Sequence, residues 1–246
     1  MARRKPVGSR PDKIVKAMQR SAHTRCAVPN CGRDVDRFGS WCRRHQDRRS
    51  RQGHPTAAAI SKVELKPFLA RAAAFVMEQD RAGHVGVRAA LGWIEGQLES
   101  CRNAPALAFS SGTPMEMRWQ AWKGRAAREG VTPQQVLSAA LAVHLFGKYQ
   151  PTRLPDRRFT DYQVGAHILR LACRRGYYTK AGRRATRTIG HSSQLRLYAG
   201  SLVNNTLIPL LVAAAEAIVR RADREREPVP IHAMQAPFVG AEGNPA

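Results

Sequence analysis

The sequence predicts a mainly α-helical protein with a small cysteine-containing module near its N-terminus. From Ala57 onward, apolar residues recur at intervals of three and four, which is the period of an amphipathic helix. Before that point, three of the five cysteines lie within 17 residues, from Cys26 to Cys42. The chain has 246 residues, enough for a small module attached to a larger domain with its own core.

Charge is distributed unevenly along the chain. Residues 1–56 hold 15 Lys and Arg against 4 Asp and Glu, and residues 148–224 hold the same numbers. Residues 57–147 hold 10 against 7, and residues 225–246 hold 1 against 3. A net charge of +23 with two basic regions favours binding to a polyanion, nucleic acid above all. An arginine-rich composition that serves only solubility is the alternative.

Composition and periodicity divide the chain into five segments. Residues 1–22 are basic and lack an apolar period, which predicts a flexible arm, with a disordered tail as an equal alternative. Residues 225–246 contain Pro, Gly and few large apolar side chains, which predicts a disordered tail. The segments are a basic flexible arm (1–22), the cysteine module (23–56), a helical domain (57–147), a basic region of helices and a hairpin (148–224) and a disordered tail (225–246).

Apolar spacing predicts three of the helices. The first covers residues 56–80 and is restarted or kinked at Pro67, and the second covers residues 85–101. The last covers residues 193–224, where Pro209 is expected to kink or split it. Because no run of about 18 apolar residues occurs, the sequence predicts no membrane span and no membrane partner.

Two further helices are predicted from their start signals. Thr113 and Thr132 are each followed by proline and then by an acidic or amide residue, which is the pattern of a capping box. These helices end at Gly130 and Gly147, and their spacing is compatible with a helix-turn-helix or with an ordinary αα-hairpin. Another helix is predicted over residues 160–175.

A basic hairpin is predicted at residues 177–189. Aromatic and β-branched residues flank a turn at Lys180 to Gly182, and a helix followed by such a hairpin resembles a winged-helix arrangement. A basic loop between helices is an equal alternative. The candidate nucleic-acid contacts of this region are Arg174, Arg175, Lys180, Arg183, Arg184 and Arg187.

The cysteine module has the ligand spacing of a metal site. Cys26, Cys31, Cys42 and His45 form the pattern Cys-x4-Cys-x10-Cys-x2-His. Thiolate and imidazole are the ligands that Zn²⁺ prefers, and four of them close a tetrahedral, structural site. Gly32 gives the backbone freedom to adopt positive φ beside the first pair. We therefore predict one structural zinc ion.

Two other histidines compete with His45 for the fourth position, and basic residues surround it. His23 and His54 are the competitors. The helix that bears His45 is expected to present arginines to phosphate groups. The candidate contacts on or just after this helix are Arg43, Arg44, Arg48, Arg49 and Arg51.

The module resembles a short treble-clef-like zinc module of phage and bacterial proteins. The resemblance rests on Cys-x4-Cys, on Gly39-x-Trp-Cys-x2-His45 and on Arg48-Arg-x-Arg-x-Gly53-His-Pro55, and it covers residues 26–55 only. Such modules occur in HNH-type homing endonucleases and related DNA-binding proteins of mobile elements, where the basic helix is commonly followed by Gly-Asp-Pro. The resemblance implies a zinc-stabilised helix that faces the DNA backbone.

No ordered catalytic set is visible in the sequence. The His and Asn residues of an HNH nuclease and the glycine-rich phosphate loop are not found. Tyr177, Tyr178 and Tyr198 lie near arginines and His191, but pairing on a nucleic-acid surface explains them better than a tyrosine nucleophile does. We therefore predict a cytoplasmic DNA-binding regulator or accessory factor of a phage or mobile element. The alternatives are an RNA-binding protein, a nuclease or strand-transfer enzyme, and a phage assembly protein.

Overall fold

The structure is a computed structural model that describes residues 25–35, 39–103, 113–178, 184–188 and 190–225. The chain divides between Ala58 and Ala59 into two compact units. The described residues before this division are called the N-terminal unit, and those after it the helical unit. The predicted arm at 1–22 and nearly all of the predicted tail at 225–246 lie outside the described residues.

Helices make up most of the described chain, which confirms the mainly helical fold class. The N-terminal unit contains one of them, α1 (Arg43–Gln52). The helical unit contains α2 (Lys62–Arg81), α3 (Val85–Glu99), α4 (Met115–Arg128), α5 (Pro133–Tyr149), α6 (Arg157–Leu169) and α7 (Ser193–Glu225). A 3-10 turn at Pro151–Arg153 follows α5, and another at Arg170–Ala172 follows α6.

Helix α2 begins at a capping box that the sequence analysis missed. The Ser61 hydroxyl accepts a hydrogen bond from the Glu64 amide, and the Glu64 carboxylate accepts one from the Ser61 amide. The helix therefore starts later than the predicted residue 56. Pro67 lies inside it without ending it. Because proline has no backbone N–H, Pro67 cannot donate a hydrogen bond to the Val63 carbonyl. Val63 is largely exposed, so water can take the place of that donor.

One of the two predicted capping boxes is confirmed and the other is wrong. At the start of α5, the Gln135 amide donates to the Thr132 hydroxyl over 3.2 Å, and the Gln135 side chain accepts from the Thr132 amide. At the start of α4, Pro114 occupies the N-cap position instead, with ψ at 147° and no side-chain cap. Proline fixes φ but not ψ, so an extended Pro114 moves the helix start to Met115.

Helix α6 begins directly after Asp156, whose carboxylate accepts the Phe159 amide over 2.6 Å. The predicted start of this helix at residue 160 is therefore three residues late, and the interpretation of Asp161 as its cap residue is wrong. Asp161 is buried and its carboxylate accepts a 2.6 Å hydrogen bond from the Asn204 side chain. The Asn204 carbonyl oxygen lies 3.0 Å from Nε2 of His144. Tertiary packing thus turns a helix-start signal into part of a buried polar network.

Helices α6 and α7 approach each other closely at two glycines. A Cβ atom on Gly165 would lie 1.8 Å from the Arg196 carbonyl oxygen. A Cβ atom on Gly200 would lie 1.7 Å from the Asp161 carbonyl oxygen. Both distances are far below van der Waals contact, so this approach of the two backbones requires glycine at both positions.

Helix α5 lies at the centre of the helical unit, because it packs against α2, α3, α6 and α7. Ten of its 17 residues are buried. The edge of one ring in the Phe68–Phe146 pair meets the face of the other, with 5.4 Å between ring centroids. Trp122 is buried, and its indole N–H donates to the Leu169 carbonyl over 3.2 Å. A buried apolar core thus joins the helices of this unit.

Two short strands lie between α6 and α7. They are β1 (Arg174–Tyr178) and β2 (Arg184–Thr188), which pair antiparallel with Gly176 opposite Thr186. The predicted turn at residues 180–182 lies outside the described residues. The hairpin and its winged-helix-like arrangement therefore stay predictions.

Helix α7 has the length and mean hydropathy of a membrane span, which the sequence analysis did not anticipate. It is continuous over 33 residues through Pro209, and the mean hydropathy of its most apolar stretch is 1.7. A helix that packs in a protein core can meet the same criteria. In this structure, the face of α7 that includes Leu195, Val203 and Leu211 is buried against the other helices.

Candidate metal centre and arginine groove

A tight turn brings Cys26 and Cys31 to the same side of the chain. The Cys26 amide donates to the Arg33 carbonyl over 2.8 Å, and the Cys31 amide donates to the Val28 carbonyl over 3.2 Å. Asn30 and Gly32 both have φ of 61°, in the left-handed region. Asn and Gly tolerate this conformation best, and the positive φ predicted for Gly32 is confirmed.

Helix α1 supplies the other two side chains of the cluster. Cys42 is the N-cap residue and His45 lies in the first turn, so the spacing of three places both on one side of the helix start. The Ala27 amide donates to the Ser40 carbonyl over 2.8 Å and ties the turn to the segment before α1. The helix ends at Gly53, which adopts a left-handed φ of 86°.

The four side chains converge to distances that fit one metal ion. Sγ of Cys31 lies 3.8 Å from Sγ of Cys42. Nδ1 of His45 lies 3.3 Å from Sγ of Cys26 and 3.5 Å from Sγ of Cys42. All four ligand atoms lie within 4.8 Å of one another. A tetrahedral Zn²⁺ site would place two sulfurs about 3.8 Å apart, and sulfur and nitrogen about 3.5 Å apart.

Electrostatics within the cluster differ between two of its thiols. Desolvation acts to raise the pKa of Cys26. Hydrogen bonds from the Cys42 and Val28 amides and from His45 act in the opposite direction and outweigh it, so the pKa falls to about 6. For Cys31, the Arg33 amide acts to lower the pKa, but desolvation and the nearby Cys42 and Cys26 raise it above its ordinary value. Three thiols this close cannot all ionise without cost unless a cation lies among them.

The competitor His54 has a different role in the structure. Its Nδ1 accepts hydrogen bonds from the Thr56 amide over 3.2 Å and from the Ala57 amide over 2.9 Å. A nitrogen engaged in this turn is not a member of the cluster that contains His45. The other competitor, His23, lies outside the described residues.

The arginines of α1 separate onto two faces of the helix. One face lines a surface groove of about 540 Å³, called here the arginine groove. Its lining residues are Arg33, Arg43, Arg44, Asp47, Arg48, Arg51 and Gln52. Arg49 lies elsewhere, with its guanidinium carbon 4.2 Å from the centroid of the Trp41 ring. Four of the five arginines predicted as phosphate contacts therefore line one groove, and the fifth stacks on an indole ring.

Arg33 belongs to the groove but was not among the predicted contacts. It precedes α1 by ten positions, so helical periodicity does not connect it with Arg43 or Arg44. The bridge between Arg25 and Asp34 fixes the segment that carries it. One signal in the sequence could have indicated that Arg33 lies near α1. Arg33 comes two residues after Cys31, a member of the same cluster as Cys42 and His45 at the start of α1.

For the candidate nucleic-acid contacts after α6, the structure describes the backbone but not the side chains. Arg175 pairs with Arg187 across the two strands, Arg174 pairs with Thr188, and Arg184 pairs with Tyr178. Lys180 and Arg183 lie outside the described residues. The structure therefore leaves the role of this basic region as a prediction.

No family model, curated protein or solved structure matches the chain in the comparisons made with it. The geometry of the four side chains Cys26, Cys31, Cys42 and His45 is compatible with a metal site.

Proposed function

We propose that the N-terminal unit is a zinc-stabilised module that binds nucleic acid, with DNA as its preferred partner. The observation that carries the proposal is the arginine groove on α1, the helix whose first turn supplies two of the four cluster side chains. The resemblance to treble-clef-like modules of mobile elements points in the same direction. A regulator or accessory factor of such an element is the corresponding biological role.

Zinc is the metal that fits the donor set best. Three thiolates and one imidazole are soft to borderline donors, which favour Zn²⁺ over Mg²⁺ or Ca²⁺. Four protein ligands leave no vacancy for water or substrate, so the ion would stabilise the fold and would not catalyse a reaction. The ion would fix the start of α1 and thereby the face that carries Arg43 and Arg44.

Phosphate is the ligand that fits the arginine groove best. Five guanidinium groups line it and one carboxylate, that of Asp47, accompanies them. Arginine remains charged at any physiological pH and binds phosphate oxygens through two parallel N–H groups. The groove is open to solvent and follows the exposed face of the helix, so a nucleic-acid backbone can lie along it.

The test measures binding of the full chain to duplex DNA by fluorescence anisotropy over a series of salt concentrations. The triple variant Arg43→Gln/Arg44→Gln/Arg48→Gln should weaken binding and lower the slope of log K against log salt by about 3, since each lost phosphate contact removes about 0.9. Arg49→Gln, on the Trp41 side of the same helix, should leave the slope unchanged. Arg81→Gln/Arg88→Gln/Arg102→Gln is the control for an equal loss of charge.

Other outcomes would contradict parts of the proposal. Equal slopes for the groove variant and the charge control would exclude the arginine groove as the contact surface. Binding that survives a zinc chelator would move the contact to the basic region at 148–224. Tighter binding to structured RNA than to duplex DNA at the same salt would replace DNA by RNA as the partner.

A further inference from the structure

A second groove lies in the helical unit, between the first two turns of α2 and the C-terminal end of α6. Its volume is about 410 Å³. We call it the α2–α6 groove. Its lining residues are Lys62, Val63, Leu65, Lys66, Leu69, Ala139, His167, Arg170 and Leu171. None of these residues belongs to the N-terminal unit, so the groove is separate from the surface proposed to bind nucleic acid.

The α2–α6 groove is positively charged and no carboxylate lines it within the described chain. Lys62 and Lys66 lie one helical turn apart on α2, and Arg170 faces them from the turn after α6. The nearest acidic residue along α2 in sequence is Glu64, which pairs instead with Arg153 over 2.9 Å. Three cations thus share a small space without a carboxylate, which favours an anion as the ligand.

A nearly buried histidine also belongs to the groove lining. His167 is 7% exposed, and its Nδ1 lies 3.4 Å from a guanidinium nitrogen of Arg170. Burial and the nearby Arg170 and Lys62 lower the pKa of His167 to about 4, against an opposing hydrogen bond with the Ile60 backbone, so the ring is neutral at pH 7. A neutral ring adds no charge to the groove, so its positive charge comes from Lys62, Lys66 and Arg170.

The remaining walls of the α2–α6 groove are apolar. Leu65 is buried, whereas Leu69 is 37% exposed and Val63 is 76% exposed. Leu171, in the turn after α6, is half-buried and also lines the groove. The stretch of α2 from residue 62 to residue 69 is about 10 Å long. A helix-in-groove partner usually presents anchors over more than two turns, so this length favours a small molecule over a peptide helix.

We propose that the α2–α6 groove binds a small organic anion, a carboxylate or phosphate monoester that carries an apolar chain. The anionic group lies between Lys62, Lys66 and Arg170. The chain lies on Leu65, Leu69 and Leu171. The groove volume falls within the usual range of small-molecule sites, about 300 to 1,000 Å³.

The test uses isothermal titration of the full-length protein with octanoate and with octyl phosphate. Either compound should bind with a stoichiometry of one, and the tighter of the two identifies the head group. Acetate and 1-octanol, which lack the apolar chain and the charge respectively, should each bind at least about tenfold more weakly, since each loses one half of the contacts. Binding of 1-octanol as tight as that of octanoate would overturn the proposal.

A pair of variants on the same two helices separates a specific site from general charge. Lys66→Gln/Arg170→Gln removes two cations from the groove and should weaken binding of the tighter ligand by at least about tenfold. Arg81→Gln/Arg158→Gln removes two exposed arginines at the opposite ends of α2 and α6 and should change affinity less than about twofold. Equal losses in both variants would overturn the proposal. Thermal unfolding of each variant shows whether the fold is retained, and the single variants Lys62→Gln and Lys66→Gln, at exposed positions, give a further test if the double variant unfolds.

Discussion

The two units of this protein differ in the source of their folding free energy. In the described N-terminal unit no residue of α1 is buried, and Cys42 is the one buried apolar side chain. In the helical unit, large side chains such as Trp122, Phe146 and Tyr162 are almost completely buried. A chain segment without an apolar core needs another source of free energy, and the proposed binding of zinc to the Cys and His cluster would supply it. Burial of apolar surface supplies it in the helical unit.

This difference predicts which change should unfold each unit. Loss of the metal ion should unfold the N-terminal unit and spare the helical one. Substitutions that separate packed helices should unfold the helical unit and spare the N-terminal unit.

Removal of the metal should have the largest effect. Structural zinc contributes roughly 10 kcal/mol to the folding of small modules. We therefore expect the described residues of the N-terminal unit to lose their fold when a chelator is added or when Cys42 is replaced in a Cys42→Ala variant. Hydrogen exchange followed by mass spectrometry should show rapid exchange of α1 amides and unchanged protection in α5. Protection of α1 that persists without metal would show that the cluster is not what folds the unit.

Gly200→Ala should come next, in the helical unit. The added Cβ would lie 1.7 Å from the Asp161 carbonyl oxygen, so α6 and α7 must separate, at a cost of about 4 kcal/mol. Denaturant unfolding measures the loss. The control is Gly92→Ala on α3, where an added Cβ meets nothing within 4 Å and should stabilise the helix by roughly 0.5 kcal/mol. Equal effects at both glycines would refute the close approach of the two helices.

Acidification should destabilise the helical unit through His167. Burial and the facing cations Arg170 and Lys62 lower its folded-state pKa from the ordinary 6.5 to about 4. The unfolded chain therefore takes up a proton between these values and the folded chain does not, so stability present above pH 6.5 is lost as the pH falls toward 4. The loss is about 3 kcal/mol.

The measurement compares denaturant unfolding of the protein and of His167→Asn at pH 7 and pH 4.5. The variant should lose less stability on acidification, although His191, whose pKa burial also lowers to about 4, continues to contribute in both proteins. The same pH dependence in both proteins would assign the acid sensitivity to other groups.

The smallest effect is expected at the start of α2. Ser61→Ala removes the hydroxyl that accepts the Glu64 amide and should cost about 1 kcal/mol. Ser61→Asp keeps an acceptor at the N-cap and should restore most of that loss in thermal unfolding. A Ser61→Asp variant as unstable as Ser61→Ala would show that the hydroxyl contributes by another contact.

Local signals predicted the elements of this fold better than their contacts. The capping box at Thr132 acts over three residues, so it is visible in the sequence and is confirmed. Asp161 carries the same kind of signal, but its partner Asn204 lies 43 positions away. A side chain whose partner is that distant in sequence cannot be assigned from its neighbours alone.

The helical class of the protein and the three cysteines of its cluster were predictable from the sequence alone, whereas the choice of His45 over His54 needed the structure. The helical class and the three cysteines follow from short-range regularities, the 3.6-residue period and the spacing of ligands around a turn and a helix start. The tertiary structure decided the close approach at Gly165 and Gly200, the division of Arg49 from the arginine groove and the existence of the α2–α6 groove. These features join residues far apart in the chain, and their energies depend on distances that exist only once the helices have packed.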